Sequence, residues 1–229
     1  LTADDLLILD GYRFDDSFVH ASHQIGAKVM QVIDSFDSPV ISDGVITQLP
    51  LNELEASNLV SVPVWSGLNG FMIRPEFYHR KGEVASIKFD VFTYIMSQEN
   101  LNIFKKELDI DGKSICALAH RDLAIECQDL GWTTIVSPRV QVLINAMRES
   151  HTGFLPASTI AIEYFVATGR KPHVVALADN QKQGMQKFIN AGIWVGNQQP
   201  QVTRDERSNQ EMISGNPQSQ FTNWIHARV

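Results

Sequence analysis

An amide pair, Asn180 and Gln181, follows a short apolar run at residues 174–178 and precedes a segment whose apolar side chains recur at helical spacing. This order places Asp179, Asn180 and Gln181 on a loop between a strand and a helix, where open α/β sheets bind ligands. Amide side chains donate and accept hydrogen bonds, which suits the acetamido and hydroxyl groups of a sugar. The alternative is that Asp179 or Asn180 caps the helix, which leaves Gln181 unexplained.

A second loop of the same kind spans residues 153–157 and leads into Ser158 and Thr159. The free amides and positive dipole at the start of a helix suit a diphosphate. Glu163 lies four residues after Thr159 and therefore on the same helical face, where a carboxylate can accept both hydroxyls of a ribose. The alternative assigns Ser158 to N-capping and Glu163 to a solvated helix surface. Together the two loops predict a nucleotide-sugar site.

Three candidates lie at other predicted strand ends. Asp10 and Tyr12 end a strand, where a carboxylate and a phenol can orient water or a leaving phosphate. The alternative is a turn built on Asp10 and Gly11, with Tyr12 covering the strand end. His120 follows an apolar run, at a position where ligands gather in α/β folds.

Metal and redox chemistry find little support in the pattern. His20 and His23 lie three residues apart, but no third ligand is near them in sequence. Cys116 and Cys127 are the only cysteines and have no partner at ligand spacing, which favours reduced core thiols. We therefore expect no metal and no separate cofactor.

Composition narrows the class of partner. The 229 residues, 44% of them hydrophobic, suffice for one large core or two modest ones. The net charge of −7, without a basic cluster beyond Lys105 and Lys106, argues against nucleic acid and favours a small molecule. The apolar runs are too short to span a membrane and the first residues lack the pattern of a secretion signal, so we expect a cytoplasmic protein with no membrane partner.

Apolar runs alternate with helical segments along most of the chain, which predicts an α/β fold with parallel sheets. Strands are predicted at 6–10, 28–34, 44–47, 60–66, 89–95, 114–119, 133–137, 152–155, 173–178 and 193–195. Helices are predicted at 98–107, 121–130, 140–149, 159–168 and 181–191, and Gly131, Gly169 and Gly192 mark three helix ends. A loop or short helix is expected from 197 to 219.

The Pro- and charge-bearing stretch at 74–82 is the best candidate for a domain boundary. We expect a partial N-terminal Rossmann-like domain at 1–80 and a C-terminal Rossmann-like, nucleotide-sugar-binding domain at 81–229. The first has about four predicted strands where such a half usually has about six. Its sheet is expected to be completed by residues ahead of Leu1, by a second copy of the chain or by another partner chain.

Four segments carry a resemblance when they are taken together in chain order: LLILDGY at 6–12, KVMQVID at 28–34, GLNGFMIRPEF at 67–77 and ADNQ at 178–181. In this order they resemble the UDP-sugar hydrolases of the pseudaminic-acid pathway, GT-B-type proteins related to spore-coat proteins and glycosyltransferases. The resemblance implies two Rossmann-like domains that face a cleft, with UDP held mainly by the C-terminal one. It also implies that water attacks the anomeric carbon and UDP is released.

Position by position, the resemblance places the family's loop tyrosine on Tyr12 and its acyl-sugar and phosphate contacts on Asn180 and Gln181. Gly11 stands where that loop has a histidine, and the residues before Asp10 do not supply the family's Gly-x-Gly-His loop. Residues 94–97 replace the glycine-rich loop that opens the family's second domain. These departures keep open a GT-B glycosyltransferase-like protein and an accessory protein that binds sugar nucleotides without turnover.

A third hypothesis comes from the segment GKSICALA at 112–119 and the predicted helix that ends at Leu130 and Gly131. This stretch is similar to part of uroporphyrinogen-III synthase, another two-domain α/β protein. That enzyme leaves the RPEF and DNQ segments unexplained, so we rank it below the nucleotide-sugar hypotheses.

Overall fold

The computed structural model describes residues 2, 5–11, 13–33, 40–51, 59, 62–70, 73–78, 86–108 and 111–196. They form an α/β fold of two compact units that divide between residues 72 and 73. The predicted α/β class is confirmed. Segment 73–78 belongs to the second unit, and the domain limits at 1–80 and 81–229 stay predictions.

The first unit contains a parallel sheet of four strands, in the order β1-β2-β3-β4. The strands are β1 (Leu6–Asp10), β2 (Lys28–Val32), β3 (Gly44–Ile46) and β4 (Val64–Trp65), and helix α1 (Asp16–Gln24) connects β1 to β2. The Asp15 side chain caps α1 by accepting a hydrogen bond from the Phe18 amide. Leu9, Val19 and Val29 pack into a small core between this helix and the sheet.

The second unit contains a parallel sheet of five strands, in the order β7-β6-β5-β8-β9. The strands are β5 (Phe89–Ile95), β6 (Ile115–Ala119), β7 (Thr133–Ile135), β8 (Ser150–Pro156) and β9 (His173–Val175). The predicted strand at 193–195 is present only as a single parallel bridge between Val195 and His173. The other strands predicted in this half are confirmed, β5 with the predicted limits and the rest with shifted ends.

The helices described in the second unit are α2 (Pro75–Tyr78), α3 (Gln98–Glu107), α4 (Ala124–Asp129), α5 (Val140–Arg148), α6 (Thr159–Thr168) and α7 (Asp179–Asn190). Five of these helices were predicted, whereas α2 lies in the stretch that was predicted to be a domain boundary. The predicted helix at 121–130 is divided, because a 3-10 turn at Arg121–Leu123 precedes α4. Gly131, Gly169 and Gly192 all have positive φ, so the three predicted helix ends are confirmed.

The strand order reverses between β5 and β8. From β5 the chain moves outward through β6 to β7, then returns to the other side of β5 as β8 and continues to β9. Right-handed crossovers in opposite directions lie on opposite faces of the sheet. The loops after β5 and β8 therefore diverge and leave a crevice at the carboxyl edge, which is where such sheets bind ligands.

Helix α6 is buried on nearly all sides. Its residues from Ile160 to Ala167 are buried, because the helix packs against α2, α5 and β8. A helix that is apolar all round is typical of a protein interior. Glu163 is the one charged residue within this run, so its carboxylate is held in largely apolar surroundings.

Two predicted loops are wrong in their extent. Residues 153–156 lie in β8 rather than in a loop, because this central strand pairs with β5 on one side and β9 on the other. Asp179, Asn180 and Gln181 form the first turn of α7, and the loop that precedes them is residues 176–178.

Candidate functional site

A cavity of about 390 Å³ lies at the carboxyl edge of the second sheet. The described residues that line it come from the position just before α2, the ends of β5 and β6, α5 and the start of α6: Arg74, Tyr94, Leu118, Leu143, Ser158, Thr159, Ile160 and Glu163. Because β5 and β8 flank the reversal of strand order, the cavity occupies the crevice that the topology creates. Its volume is within the range of small-molecule sites.

Glu163 lines this cavity as a buried carboxylate. Its Oε1 accepts a hydrogen bond from Arg74 Nη2 at 3.1 Å. Thr159 lines the same cavity, so the prediction that Thr159 and Glu163 share a helical face is confirmed. The alternative that Glu163 is a solvated helix residue is wrong, because α6 lies in the interior of its unit.

Burial controls the ionisation of this site. It raises the pKa of Glu163 above its ordinary value, since a carboxylate loses hydration there, and the Arg74 guanidinium opposes that rise. Burial also raises the pKa of Tyr94, and the negative charge of Glu163 raises it further. The Tyr94 phenol is therefore neutral at physiological pH and can donate a hydrogen bond.

Arg74 is a charged cavity residue that the sequence analysis did not assign to the site. Arg74 forms an ion pair with Glu163, and the pair borders the cavity. No local signal identifies this partner, because 89 residues separate the two side chains along the chain.

Ser158 and Thr159 stand where β8 gives way to α6. Ser158 has extended backbone at the N-cap position, but its hydroxyl makes no capping hydrogen bond. The alternative that Ser158 is the N-cap residue is therefore confirmed in position, although its side chain forms no capping hydrogen bond. Both residues line the cavity. The positive end of the α6 dipole therefore lies at the cavity, without a hydrogen bond from a capping side chain.

Gln181 is not among the described residues that line this cavity. The N-cap of α7 is Ala178, without a side-chain cap, so the alternative that Asp179 or Asn180 caps the helix is wrong. Gln181 Oε1 accepts a hydrogen bond from the Leu177 amide at 2.9 Å and so holds the preceding loop. The side chains of Asp179 and Asn180 lie outside the described part of the structure.

His120 is also not among the described residues that line the cavity. His120 caps the 3-10 turn, with Nδ1 3.4 Å from the Asp122 amide and 3.4 Å from Asp122 Oδ2. Asp10 is exposed at the carboxyl end of β1 in the first unit, and Tyr12 lies outside the described residues. His23 Nε2 lies 3.0 Å from Asp43 Oδ2.

No group of three or more His, Cys, Asp or Glu side chains within the described residues is placed to hold a metal ion. None of the helices described is both long and apolar enough to cross a membrane.

Comparison with protein-family models finds no match, and comparison with curated protein sequences finds none either. Solved structures do match. The UDP-GlcNAc 2-epimerase of Methanocaldococcus jannaschii is 12% identical with a TM-score of 0.54, over 97% of this chain and 77% of that chain. The same epimerase in complex with UDP-GlcNAc and UDP is 11% identical with a TM-score of 0.55, over 97% and 76%. At such identity the likeness shows the fold alone: Rossmann-like parallel α/β units of the GT-B type, as the sequence predicted.

Proposed function

We propose that the chain binds a nucleotide sugar and that the cavity of the second unit holds the nucleotide. The observation that carries this proposal is a buried carboxylate, Glu163, in one cavity with the uncapped start of α6. The helix amides suit a diphosphate. The carboxylate suits the vicinal hydroxyls of a ribose, since it accepts hydrogen bonds only.

The charges of the cavity fit this assignment. Among the described residues, those that line the cavity include one cation, Arg74, and one buried anion, Glu163. A diphosphate at the start of α6 is stabilised by the helix dipole. Ser158 and Thr159 supply hydroxyl donors at the same position.

The likeness of fold supports the same class of ligand. One of the matching structures is, by its title, an epimerase in complex with UDP-GlcNAc and UDP. Uracil is therefore the first base to test, and the acetamido sugar predicted from Asn180 and Gln181 is the first sugar. Asn180 and Gln181 are proposed to contact the ligand, although the Gln181 carbonyl already accepts from Leu177.

More specifically, we propose that the chain hydrolyses a UDP-sugar in the biosynthesis of pseudaminic acid or a related polysaccharide. Water adds to the anomeric carbon, the bond from that carbon to the phosphate oxygen breaks, and UDP leaves with the bonding electrons. Asp10 is proposed to accept the proton of the attacking water and Tyr12 to orient it. His120 is proposed as a further ligand contact, at the carboxyl end of β6.

Binding without turnover is the second candidate. It is favoured by Tyr94, whose side chain lines the cavity at the end of β5, where the resembling family has glycine. A side chain there takes space from a phosphate that would approach the backbone. A GT-B glycosyltransferase-like protein would bind the nucleotide sugar as the hydrolase does, but the sugar acceptor would be a molecule other than water. Uroporphyrinogen-III synthase stays a prediction from the sequence alone.

Calorimetric titration with UDP and with UDP-GlcNAc, together with an assay of UDP release, tests these proposals. Glu163→Gln is expected to weaken UDP binding roughly tenfold, since a charged acceptor is lost. Glu126→Gln is the matched control, because Glu126 pairs with Lys105 on the surface and does not line the cavity.

Release of UDP by the unmodified chain would support the hydrolase, and its loss in Asp10→Asn would support the assigned base. Binding without release would favour the accessory protein. If neither UDP nor UDP-GlcNAc bound, or if Glu126→Gln weakened binding as much as Glu163→Gln, the assignment of the cavity would be wrong.

A further inference from the structure

The Arg74 side chain packs on Phe77 as well as pairing with Glu163. Its guanidinium carbon lies 4.8 Å above the centre of the Phe77 ring, and Phe77 is fully buried. The Phe77 amide donates to the Arg74 carbonyl at 3.1 Å, which ties the two residues together at the start of α2. A guanidinium that stacks on an aromatic face loses less freedom when it forms a further bond.

The surroundings of Glu163 disfavour its ionised form, which a nearby cation stabilises. The helix around it is apolar, with Ile160, Ile162 and Tyr164 all buried. A carboxylate in such surroundings tends to take up a proton unless a positive charge or hydrogen bond stabilises the ionised form. A protonated Glu163 would be both donor and acceptor, and it would lose the charge that strengthens its bonds to hydroxyls.

The other charged or titratable groups described near Glu163 do not supply the positive charge that Arg74 places beside its carboxylate. Among the described residues, β5 contributes the Tyr94 phenol, which disfavours a nearby negative charge only if it ionises itself. Helix α5 contributes the apolar Leu143 to the lining. Arg148 of α5 donates to the Ala167 carbonyl near the opposite end of α6. Arg74 is therefore the cation that acts on Glu163.

We propose that Arg74 is a positioning residue, which keeps Glu163 ionised and oriented so that the carboxylate recognises the vicinal hydroxyls of the ligand. The inference rests on the proposed function and deepens it, because it assigns selectivity for ribose over 2′-deoxyribose to a pair of residues rather than to Glu163 alone. Arg74 acts through Glu163 Oε1.

The first experiment needs no ligand. The pH titration of the Glu163 carboxyl carbon, followed by NMR, is expected to move to higher pH in Arg74→Gln. Arg74→Lys is expected to remain near the unmodified protein, since the charge is kept. Lys106→Gln removes an exposed positive charge from α3 and is expected to leave the titration unchanged.

The second experiment compares UDP with 2′-deoxy-UDP by calorimetry between pH 5 and 8. The unmodified chain is expected to prefer UDP roughly tenfold, because one ligand hydroxyl meets a charged acceptor. The preference is lost as the pH falls through the Glu163 titration. In Arg74→Gln that loss begins at higher pH. The phosphate groups of both ligands titrate in the same way. Their effect on the affinities therefore cancels when the two affinities are compared as a ratio.

Several outcomes would overturn the inference. One is a Glu163 titration that does not move in folded Arg74→Gln, and another is an unchanged preference for UDP with an unchanged pH profile. An equal loss for both ligands at every pH would show that Arg74 contacts phosphate directly instead.

Circular dichroism reports whether Arg74→Gln folds. If it does not, the unmodified protein titrated in 1 M salt serves instead, because salt screens the half-exposed guanidinium and is expected to raise the Glu163 titration. A titration that salt leaves in place would then overturn the inference. The proposed function fails separately, if the unmodified chain binds neither UDP nor 2′-deoxy-UDP.

Discussion

The ring of Tyr164 lies directly over the backbone of Gly153. A Cβ atom placed on Gly153 would be 3.1 Å from Cε1, Cε2 and Cζ of that ring. Tyr164 is fully buried and stacks on Phe92, with ring centres 6.2 Å apart, so it has little room to move. This contact sets how closely α6 approaches β8, and α6 carries Thr159 and Glu163 into the cavity.

Gly153→Ala is therefore expected to destabilise the protein by about 1–3 kcal/mol, because the added methyl group overpacks a rigid contact. Urea denaturation followed by circular dichroism measures the change. The same substitution in a Tyr164→Leu background is expected to cost less, since the ring is gone. An equal cost in both backgrounds would show that the ring is not what excludes a side chain at Gly153.

The pH dependence of stability follows from the raised pKa of Glu163. A carboxyl whose folded pKa exceeds its unfolded value of about 4.5 binds protons more tightly in the folded state. Its contribution to stability is full below the unfolded pKa and is lost as the pH rises through the folded pKa. Glu163→Gln removes this dependence, so the variant should gain stability relative to the unmodified chain as the pH rises through that window.

Urea curves at several pH values between 4 and 8 measure that difference. Glu126→Gln serves as the control, since Glu126 is partly exposed on the surface. A stability difference between Glu163→Gln and the unmodified chain that stays constant with pH would contradict the expectation.

The amide pair can be separated by two single variants. Gln181→Ala removes the acceptor of the Leu177 amide and is expected to lower the unfolding free energy by about 0.5–1.5 kcal/mol. Thermal unfolding measures this loss. Asn180→Ala is expected to weaken nucleotide-sugar binding with little change in melting temperature. A large fall in melting temperature in Asn180→Ala, with unchanged affinity, would instead assign Asn180 to the stability of α7.

The two cysteines are expected to resist alkylation while the chain is folded. Both are buried, and burial raises the pKa of Cys116 to about 11 and also raises that of Cys127. At pH 8 only about one Cys116 thiol in a thousand is ionised, and thiolate is the reactive form. Mass spectrometry after iodoacetamide treatment should find two modifications in urea and very slow modification without it. Rapid alkylation of the folded chain would contradict this.

Much of the secondary structure was predictable because its causes are local. The limits of β1, β5, α3 and α6 match the predictions, since each is bounded by residues that end apolar or helical periodicity. Gly169 illustrates this: a left-handed residue is needed after α6, and glycine adopts it at the lowest cost. The order of the strands, by contrast, depends on crossover handedness and pairing rather than on any single segment.

The candidate site also combines features that local sequence sets with features that tertiary packing sets. The sequence by itself determined that Thr159 and Glu163 share a helical face, because 3.6 residues complete a helical turn. Only the tertiary structure decided that this face lines a cavity, that Gln181 binds the backbone of its own loop, and that Arg74 is the partner of Glu163. Burial and charge pairing between residues distant in sequence arise when elements pack together, and no local pattern encodes which elements those are.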